Sequence, residues 1–246
     1  MWTVASAGID CFAADTFGVD EVNKHLMAQP LGTGDIPSFE FLEGLSLRLR
    51  QQIEFLTVVD RLKEVQRRTY IVGGNRRENS AEHSWHAALA ALVLAEWGRT
   101  SNGGLDLAKV VQMLLVHDIV EVEAGDTFVY DEHLEPQKKE VERQAAERLF
   151  SLLPPDQAVK FRSLWDEFEA RQTREAQFAA AIDRILPILL NFVNRGRLWQ
   201  ENGIDAGKVR RKNAHIREGS EKLWDLAATI IDEAVARGFL VATAEC

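Results

Sequence analysis

The sequence predicts an all-α protein with a single domain. From Ser38 onward, apolar residues recur every three to four positions, the spacing that places them on one face of a helix. No stretch alternates apolar and polar residues over more than a few positions, and no internal repeat is present. At 246 residues the chain is long enough to bury one large core. We expect a helical domain over residues 37–246, preceded by an extension over residues 1–36 whose role the sequence does not reveal.

The first half of this domain should contain three helical regions. They are one or two helices up to about Gln66, a helix that begins at Asn79 or Ser80 and stops near Gly98, and a helix from about Leu105 to Glu123. Asparagine and serine suit the start of a helix because their side chains accept hydrogen bonds from free N–H groups of the first turn. The third helix is apolar almost all round, which predicts a central and buried position.

The second half should contain four further helical regions. They are a helix from Pro136 to Pro154, one capped by Asp156, one capped by Thr173, and one or two helices from about Asp205 to Arg237. Gly238 should end the last helix, since glycine readily adopts the left-handed conformation found there. Pro187 has no N–H to donate to the carbonyl of Asp183, so the helix either kinks beside Asp183 or merely bends around the core.

Composition and charge narrow the class of function. The formal net charge of −9 disfavours nonspecific binding to nucleic acid or to an anionic membrane. The longest apolar stretch, around Ala87 to Ala95, is too short to span a bilayer, and no secretory signal is recognisable. The two cysteines, Cys11 and Cys246, form no disulfide framework. We expect a cytoplasmic protein without a nucleic-acid or membrane partner.

Four histidine and aspartate residues stand out because each falls in a predicted buried helix. His117 and Asp118 follow an apolar run, His83 lies in the first turn of its helix, and Asp183 follows three alanines and an isoleucine. A buried aspartate is costly unless it is paired or binds a cation. Two neutral imidazoles and two carboxylates balance the charge of a divalent ion. A single buried histidine is more often a hydrogen-bonded core residue, so only the four together favour a metal site.

These segments resemble the H…HD…D signature of the HD-domain phosphohydrolases. The matching stretches are Glu82-His83-Ser84, His117-Asp118-Ile119-Val120-Glu121 and Ala181-Ile182-Asp183-Arg184. The chain is most similar to the 5′-deoxynucleotidase branch, through residues 62–67, residues 78–84 and Gly125-Asp126. The resemblance covers about Phe55 to Asn194, and the ordered set of motifs is far more specific than one His-Asp dipeptide.

The resemblance implies an HD-type helical bundle whose central buried helix carries the His-Asp pair. It also implies a metal-dependent phosphoric-ester hydrolase whose substrate is a (deoxy)nucleoside 5′-monophosphate. One divalent ion would be bound by the four residues His83, His117, Asp118 and Asp183. Manganese or cobalt is favoured, with iron, zinc, nickel and magnesium as alternatives.

The resemblance also assigns roles to residues around the metal. Glu121 matches the acid that orients or deprotonates the attacking water, and Asp126 matches a carboxylate near the leaving group. Arg67 matches a contact to the substrate phosphate. Where relatives often carry tryptophan after this arginine, the chain has Arg68, which is an alternative phosphate contact.

Other functions stay open on the sequence alone. The same metal centre suits a phosphodiesterase or a nucleotide pyrophosphohydrolase, and a non-catalytic nucleotide-binding regulatory module is a further alternative. A di-iron oxygenase is disfavoured because only His133 lies between Asp118 and Asp183. Homodimer formation through exposed helix faces also stays open.

Some conspicuous residues are expected to have structural roles. Tryptophans 85, 165 and 224 are at core spacing, and the basic run at 210–212 is expected to be a solvated face. His133 and His215 are expected at the surface or in loops. His86 either lines the pocket or lies on the outer face of its helix.

Overall fold

The computed structural model describes residue 42 and residues 44–98, 104–131 and 135–243, and these residues are predominantly helical. The expected extension over residues 1–36, both cysteines and His133 lie outside the described residues. The helices are α1 (Leu47–Val59), α2 (Ser80–Val93), α3 (Leu107–Val116), α4 (Glu121–Ala124), α5 (Glu135–Phe150), α6 (Pro155–Ala170), α7 (Arg174–Val193), α8 (Arg197–Glu201), α9 (Ala206–Asn213), α10 (Ile216–Gly219) and α11 (Glu221–Ala236). Short 3₁₀ helices cover Asp60–Glu64 and Ala95–Trp97. The all-α prediction is confirmed.

A short hairpin precedes α2 where the sequence predicted the end of a helix and a loop. Strands β1 (Gln66–Tyr70) and β2 (Arg77–Asn79) pair antiparallel, with Gln66 opposite Asn79. Asn194, at the end of α7, donates side-chain hydrogen bonds to the carbonyls of Tyr70 and Ile71. The hairpin is therefore fixed by a tertiary contact, which no local periodicity indicates.

Most predicted helix starts are confirmed. Asn79 caps α2 in a capping box with Glu82, and the Thr173 side chain accepts from the backbone N–H of Ala176 at the start of α7. The Asp156 cap is wrong, because the N-cap of α6 is Pro154 and Asp156 lies inside the first turn. There its carboxylate accepts two hydrogen bonds from Arg48, so the side chain serves an ion pair instead of a cap.

The predicted helix from Leu105 to Glu123 is interrupted in its last third. Helix α3 ends at Val116, and residues 117–120 form tight turns in which the N–H of Ile119 bonds the carbonyl of Val116 and that of Glu121 bonds the carbonyl of Asp118. These i→i+3 bonds replace the i→i+4 ladder, so the chain winds more tightly there. As a result, Glu121 does not lie one turn after His117 on a continuous helix but begins the separate helix α4.

Helix α7 is the axis around which the other helices pack. Its inner positions are fully buried, and it contacts α2, α3, α6, α10 and α11. By length and composition alone α7 would be long enough to cross a membrane, but 67% of its apolar stretch is buried inside this fold, which accounts for that composition. The helix is continuous through Pro187.

The C-terminal region contains more helices than predicted. Helix α8 was not foreseen, and residues 206–236 form three helices, α9 to α11, where one or two were expected. Arg237 is the C-cap of α11, and Gly238 follows it with a φ of 70°, as the glycine rule predicts.

The core prediction fails for one of the three tryptophans. Trp165 is buried and Trp224 packs against the core, but Trp85 is 63% exposed on the outer face of α2. Leu89 and Leu92 on the same face are also exposed, because the inner face of α2 consists mainly of alanines and His83.

Candidate metal centre and substrate cleft

The four predicted metal ligands meet at one place in the core. Helix α2 supplies His83, the turn after α3 supplies His117 and Asp118, and α7 supplies Asp183; all four are buried. Nε2 of His83 lies 2.8 Å from Oδ1 of Asp183, and Nε2 of His117 lies 3.7 Å from the same oxygen. Candidate ligand atoms of His83, His117 and Asp183 lie within 4.8 Å of one another. Three distant segments thus form a compact donor group.

The donor set fits a cation, as His117 shows. Its Nδ1 donates to the carbonyl of Leu114 at 2.8 Å, so Nε2 of the neutral imidazole carries a lone pair. This Nε2 makes no hydrogen bond within the described structure, although Oδ1 of Asp118 lies 3.0 Å away. A lone pair facing carboxylate oxygens is unfavourable unless a positive charge lies between them. This arrangement is typical of metal ligands. When no metal is bound, a proton on Nε2 of His117 supplies the positive charge instead.

The electrostatics of the donor group agree with this interpretation. Burial lowers the pKa of His117, but Asp118 and Asp183 outweigh burial and raise that pKa to about 9. Burial alone would raise the pKa of Asp183, but Arg184 and the two histidines hold it well below its usual range. The Asp183 carboxylate therefore stays ionised and attracts a cation to the imidazoles.

Asp118 lies at the edge of this group and is held by Arg67. Oδ1 of Asp118 faces His117, while Oδ2 accepts a hydrogen bond from Nη1 of Arg67 at 2.9 Å. Nε of Arg67 lies 3.4 Å from Oε1 of Glu78, and the arginine side chain is only 11% exposed. Arg67 is thus a positioning residue for Asp118 as well as the phosphate contact that the resemblance implies.

Glu121 and Asp126 line the same cleft as His117, Asp118 and Asp183. Oε2 of Glu121 accepts a hydrogen bond from Oγ of Ser80 at 2.6 Å, and burial, assisted by Asp118 and Asp126, raises the pKa of Glu121 well above its usual value. Burial also raises the pKa of Asp126. Gly125, between α4 and Asp126, has φ 72° and ψ 160°, a conformation essentially restricted to glycine. This glycine turns the chain so that Asp126 reaches the cleft.

The remaining predicted contact, Arg68, is exposed and lies at the rim of the cleft. Its guanidinium carbon is 5.5 Å from the centroid of the Phe128 ring, within the range of a cation–π contact. His86 stacks against the ring of exposed Trp85, so it lies on the outer face of its helix and does not line the cleft.

Sequence reasoning missed several residues that shape the site. Glu78 is buried, with Oε1 3.6 Å from Nδ1 of His83, and Nε of Arg184 lies 3.3 Å from Oδ2 of Asp183. Both residues are adjacent or close in sequence to predicted site residues. This proximity is the only feature of the local sequence that could have indicated their role. Arg211 is exposed and His215 lies in a turn, as expected, and both residues, together with Lys212, also line a continuation of the cleft.

Comparison with known proteins identifies the family. The family model described as HD domain matches residues 59–224. The crystal structure of a predicted metal-dependent phosphohydrolase from Magnetospirillum magnetotacticum MS-1 is 46% identical, with a TM-score of 0.74 over 79% of this chain and 98% of that chain. A conserved hypothetical protein from Pyrococcus furiosus, 19% identical, has a TM-score of 0.51 over 75% of this chain and 99% of that chain, and it shares the fold alone.

Two 5′-deoxynucleotidases from other organisms are similar to this chain over a shorter region. The 5′-deoxynucleotidase HDDC2 of Bos taurus is 30% identical over 57% of this chain and 66% of that protein. A 5′-deoxynucleotidase of Yersinia pestis is 31% identical over 46% of this chain and 59% of that protein. The matches thus span slightly less than two thirds of the length of these relatives. The chain belongs to the HD domain family and, within it, to the metal-dependent phosphohydrolases.

Proposed function

We propose that this protein hydrolyses the phosphomonoester of a (deoxy)nucleoside 5′-monophosphate, using one divalent metal ion. The observation that carries the proposal is the buried donor group of His83, His117 and Asp183, of which His117 and Asp183 line one cleft together with Glu121. The names of the two curated relatives described above, both 5′-deoxynucleotidases, support this substrate class.

The ion would be held by His83, His117, Asp118 and Asp183. Imidazole and carboxylate donors suit manganese or cobalt, and they also accept iron, zinc, nickel or magnesium. When bound, such an ion lowers the pKa of a water and polarises a phosphoryl oxygen.

Glu121 is proposed to take the proton of the attacking water. Because Ser80 donates to Oε2, the proton is proposed to go to the other carboxylate oxygen, Oε1, for which the described residues supply no hydrogen-bond donor. The raised pKa of Glu121 enables the carboxyl to hold the proton while the water oxygen bonds to phosphorus. The bond between phosphorus and the sugar oxygen then breaks.

Asp126 is proposed to supply the proton that the departing sugar oxygen needs. Its raised pKa favours the protonated carboxyl from which such a transfer starts. Arg67, fixed by Asp118 and Glu78, offsets negative charge on the phosphoryl group. Arg68 and Phe128 at the rim provide a surface for the sugar or base, where relatives often carry tryptophan.

Substitution of Glu121 separates chemistry from metal binding. We expect Glu121→Gln to retain the metal but to lose about 10²- to 10³-fold in kcat, because it removes the proton acceptor and leaves the donor group intact. Glu123→Gln is the matched control: Glu123 lies on the same short helix, does not line the cleft and pairs with Arg148. It should stay within about twofold of wild type.

The experiment is metal analysis of the purified proteins, followed by phosphate release from nucleoside monophosphates, cyclic nucleotides and triphosphates with manganese or cobalt added. Asp118→Ala should lose both metal and turnover. Full activity of Glu121→Gln would refute the assigned role. Turnover confined to cyclic nucleotides or triphosphates, or nucleotide binding without any turnover, would refute the proposed reaction.

A further inference from the structure

The cleft continues away from the metal centre into a region of opposite charge, which we call the basic arm. Six lysine and arginine residues and four carboxylates line this arm, which has a volume of about 290 Å³. The cations are Lys138, Lys139, Arg171, Arg184, Arg211 and Lys212. The metal half has the reverse balance, with four cations and six carboxylates. In a chain of net charge −9, this local excess of positive charge needs an explanation.

The basic arm and the metal centre form one continuous cleft. Both halves are lined by Asp183, Arg184, Phe128 and Lys138. Arg184 lies at the junction, with Nε 3.3 Å from Oδ2 of Asp183. A molecule whose phosphate lies at the donor group can therefore extend directly into the arm.

Two arginines of the arm come from separate elements and are not used in ion pairs. Arg171 follows α6, and Arg211 lies in α9; neither forms an ion pair with any residue that the structure describes. Arg171 has a φ of 49°, a left-handed conformation that is uncommon for a residue with a side chain. By contrast, the neighbouring Arg210 pairs with Asp232 on α11.

Two arginines of the arm act on the same residue, His215, which also lines the arm. Burial, followed by the nearby Arg184 and Arg171, lowers the pKa of His215 to about 4. His215 is therefore neutral near pH 7, and the net positive charge of the arm comes from its arginines and lysines. Guanidinium groups bind phosphate through paired, charge-assisted hydrogen bonds, so this chemistry suits a phosphate group better than a neutral one.

We propose that the basic arm binds a second phosphate group of the substrate, so that the preferred substrate is a phosphomonoester with two phosphates, such as a nucleoside 3′,5′-bisphosphate. The inference rests on the proposed function, in which the donor group and Glu121 act on the 5′-phosphate. A simple nucleoside monophosphate would leave Arg171 and Arg211 without an anion. A bisphosphate would place its second phosphate against these arginines while its first phosphate lies at the metal-loaded donor group.

The test compares two probes on the metal-loaded protein: deoxyadenosine 5′-monophosphate and deoxyadenosine 3′,5′-bisphosphate. Phosphate release is measured together with chromatographic identification of the product. We expect the wild-type KM for the bisphosphate to be about tenfold lower, since one charge-assisted contact of this kind is worth about a factor of ten. Arg211→Gln and Arg171→Gln should each bring the ratio of the two KM values close to one.

Arg210→Gln is the matched control, because it removes the same charge from the same helix outside the cleft. It should retain the wild-type ratio. Equal KM values for the two probes in the wild type would overturn the proposal. If Arg210→Gln lost as much of the preference for the bisphosphate as Arg211→Gln, the proposal would also be overturned. The effect would then come from the overall electrostatic field of the protein and not from a specific binding site.

Failure of the proposed function can be told apart from failure of this inference. If neither probe is hydrolysed, the proposed reaction is wrong, and the same metal-loaded protein is titrated with both probes by calorimetry. A Kd about tenfold tighter for the bisphosphate, lost in Arg211→Gln, would still support the arm as a phosphate site. Equal Kd values would overturn it.

Discussion

Single residues in the site depend on their buried neighbours for their chemical properties. Ser80 is the clearest case, because its hydroxyl bonds Oε2 of Glu121 at 2.6 Å and so favours the ionised carboxylate. Burial acts in the opposite direction and raises the pKa of Glu121. The pKa of this proposed base therefore depends on two opposing effects, and the loss of one hydroxyl is enough to change it.

Ser80→Ala should raise the pKa of Glu121 further, since it removes a hydrogen bond to the charged form. The acidic limb of the pH profile of kcat/KM should then move to higher pH, while metal content stays unchanged. Ser84→Ala is the control, because Ser84 is buried on the same helix and its Oγ has no hydrogen-bond partner in the described structure. An unshifted limb in Ser80→Ala would show that Glu121 is not the group that titrates.

At the scale of elements, the close approach of α10 to α7 maintains the position of Asp183. A Cβ at Gly219 would lie 2.2 Å from the carbonyl oxygen of Gln177 and 2.9 Å from Cβ of Ala181. Both of these residues are on α7, which carries Asp183 two positions after Ala181. Only glycine at position 219 permits this separation of the two helices.

Gly219→Ala should force α10 away from α7 and cost about 1–3 kcal/mol in the free energy of unfolding, as overpacking commonly does. We also expect weaker metal binding, because the displacement acts on the helix that carries Asp183. Chemical denaturation and metal titration measure the two effects. The control is Gly104→Ala, where a Cβ would meet nothing within 4 Å. Equal stability of the two variants would contradict this account of the helix contact.

For the whole molecule, metal binding and folding should be linked through pH. The folded-state pKa of His117 is raised from 6.5 to about 9 when no metal is bound. A raised pKa contributes stability that is fully present below the unfolded value and is lost as the pH rises through the folded value. The relevant window is therefore pH 6.5 to 9.

Across this window, we expect chelator-treated protein to lose stability on the order of 3 kcal/mol from this group. Metal-loaded protein should lose less, because ligand deprotonation strengthens metal binding as the pH rises. The gap in Tm between loaded and chelated protein should therefore widen from pH 6.5 to 9. His117→Gln, which cannot titrate, should show a flatter pH dependence when chelated. A constant gap in the wild type would contradict the linkage.

Local patterns in the sequence were sufficient to predict several of these features. Apolar spacing indicated the helices, Asn79 and Thr173 marked two of their starts, and the cost of burying charge singled out Asp118 and Asp183. The resemblance to the family added Glu121, Asp126, Arg67 and Arg68. Each of these inferences depends on chemistry that a short segment expresses by itself.

What only the tertiary structure decided depends on contacts between distant segments. The break after Val116 is absent from the local pattern, because residues 117–120 are compatible with a continuous helix. The exposed position of Trp85 depends on which face of α2 meets α3 and α7. The basic arm brings Arg171 and Arg211 together although 40 positions separate them in the chain. Periodicity and residue chemistry are local properties, whereas the sharing of a cleft depends on how the helices pack, and that packing is a property of the entire chain.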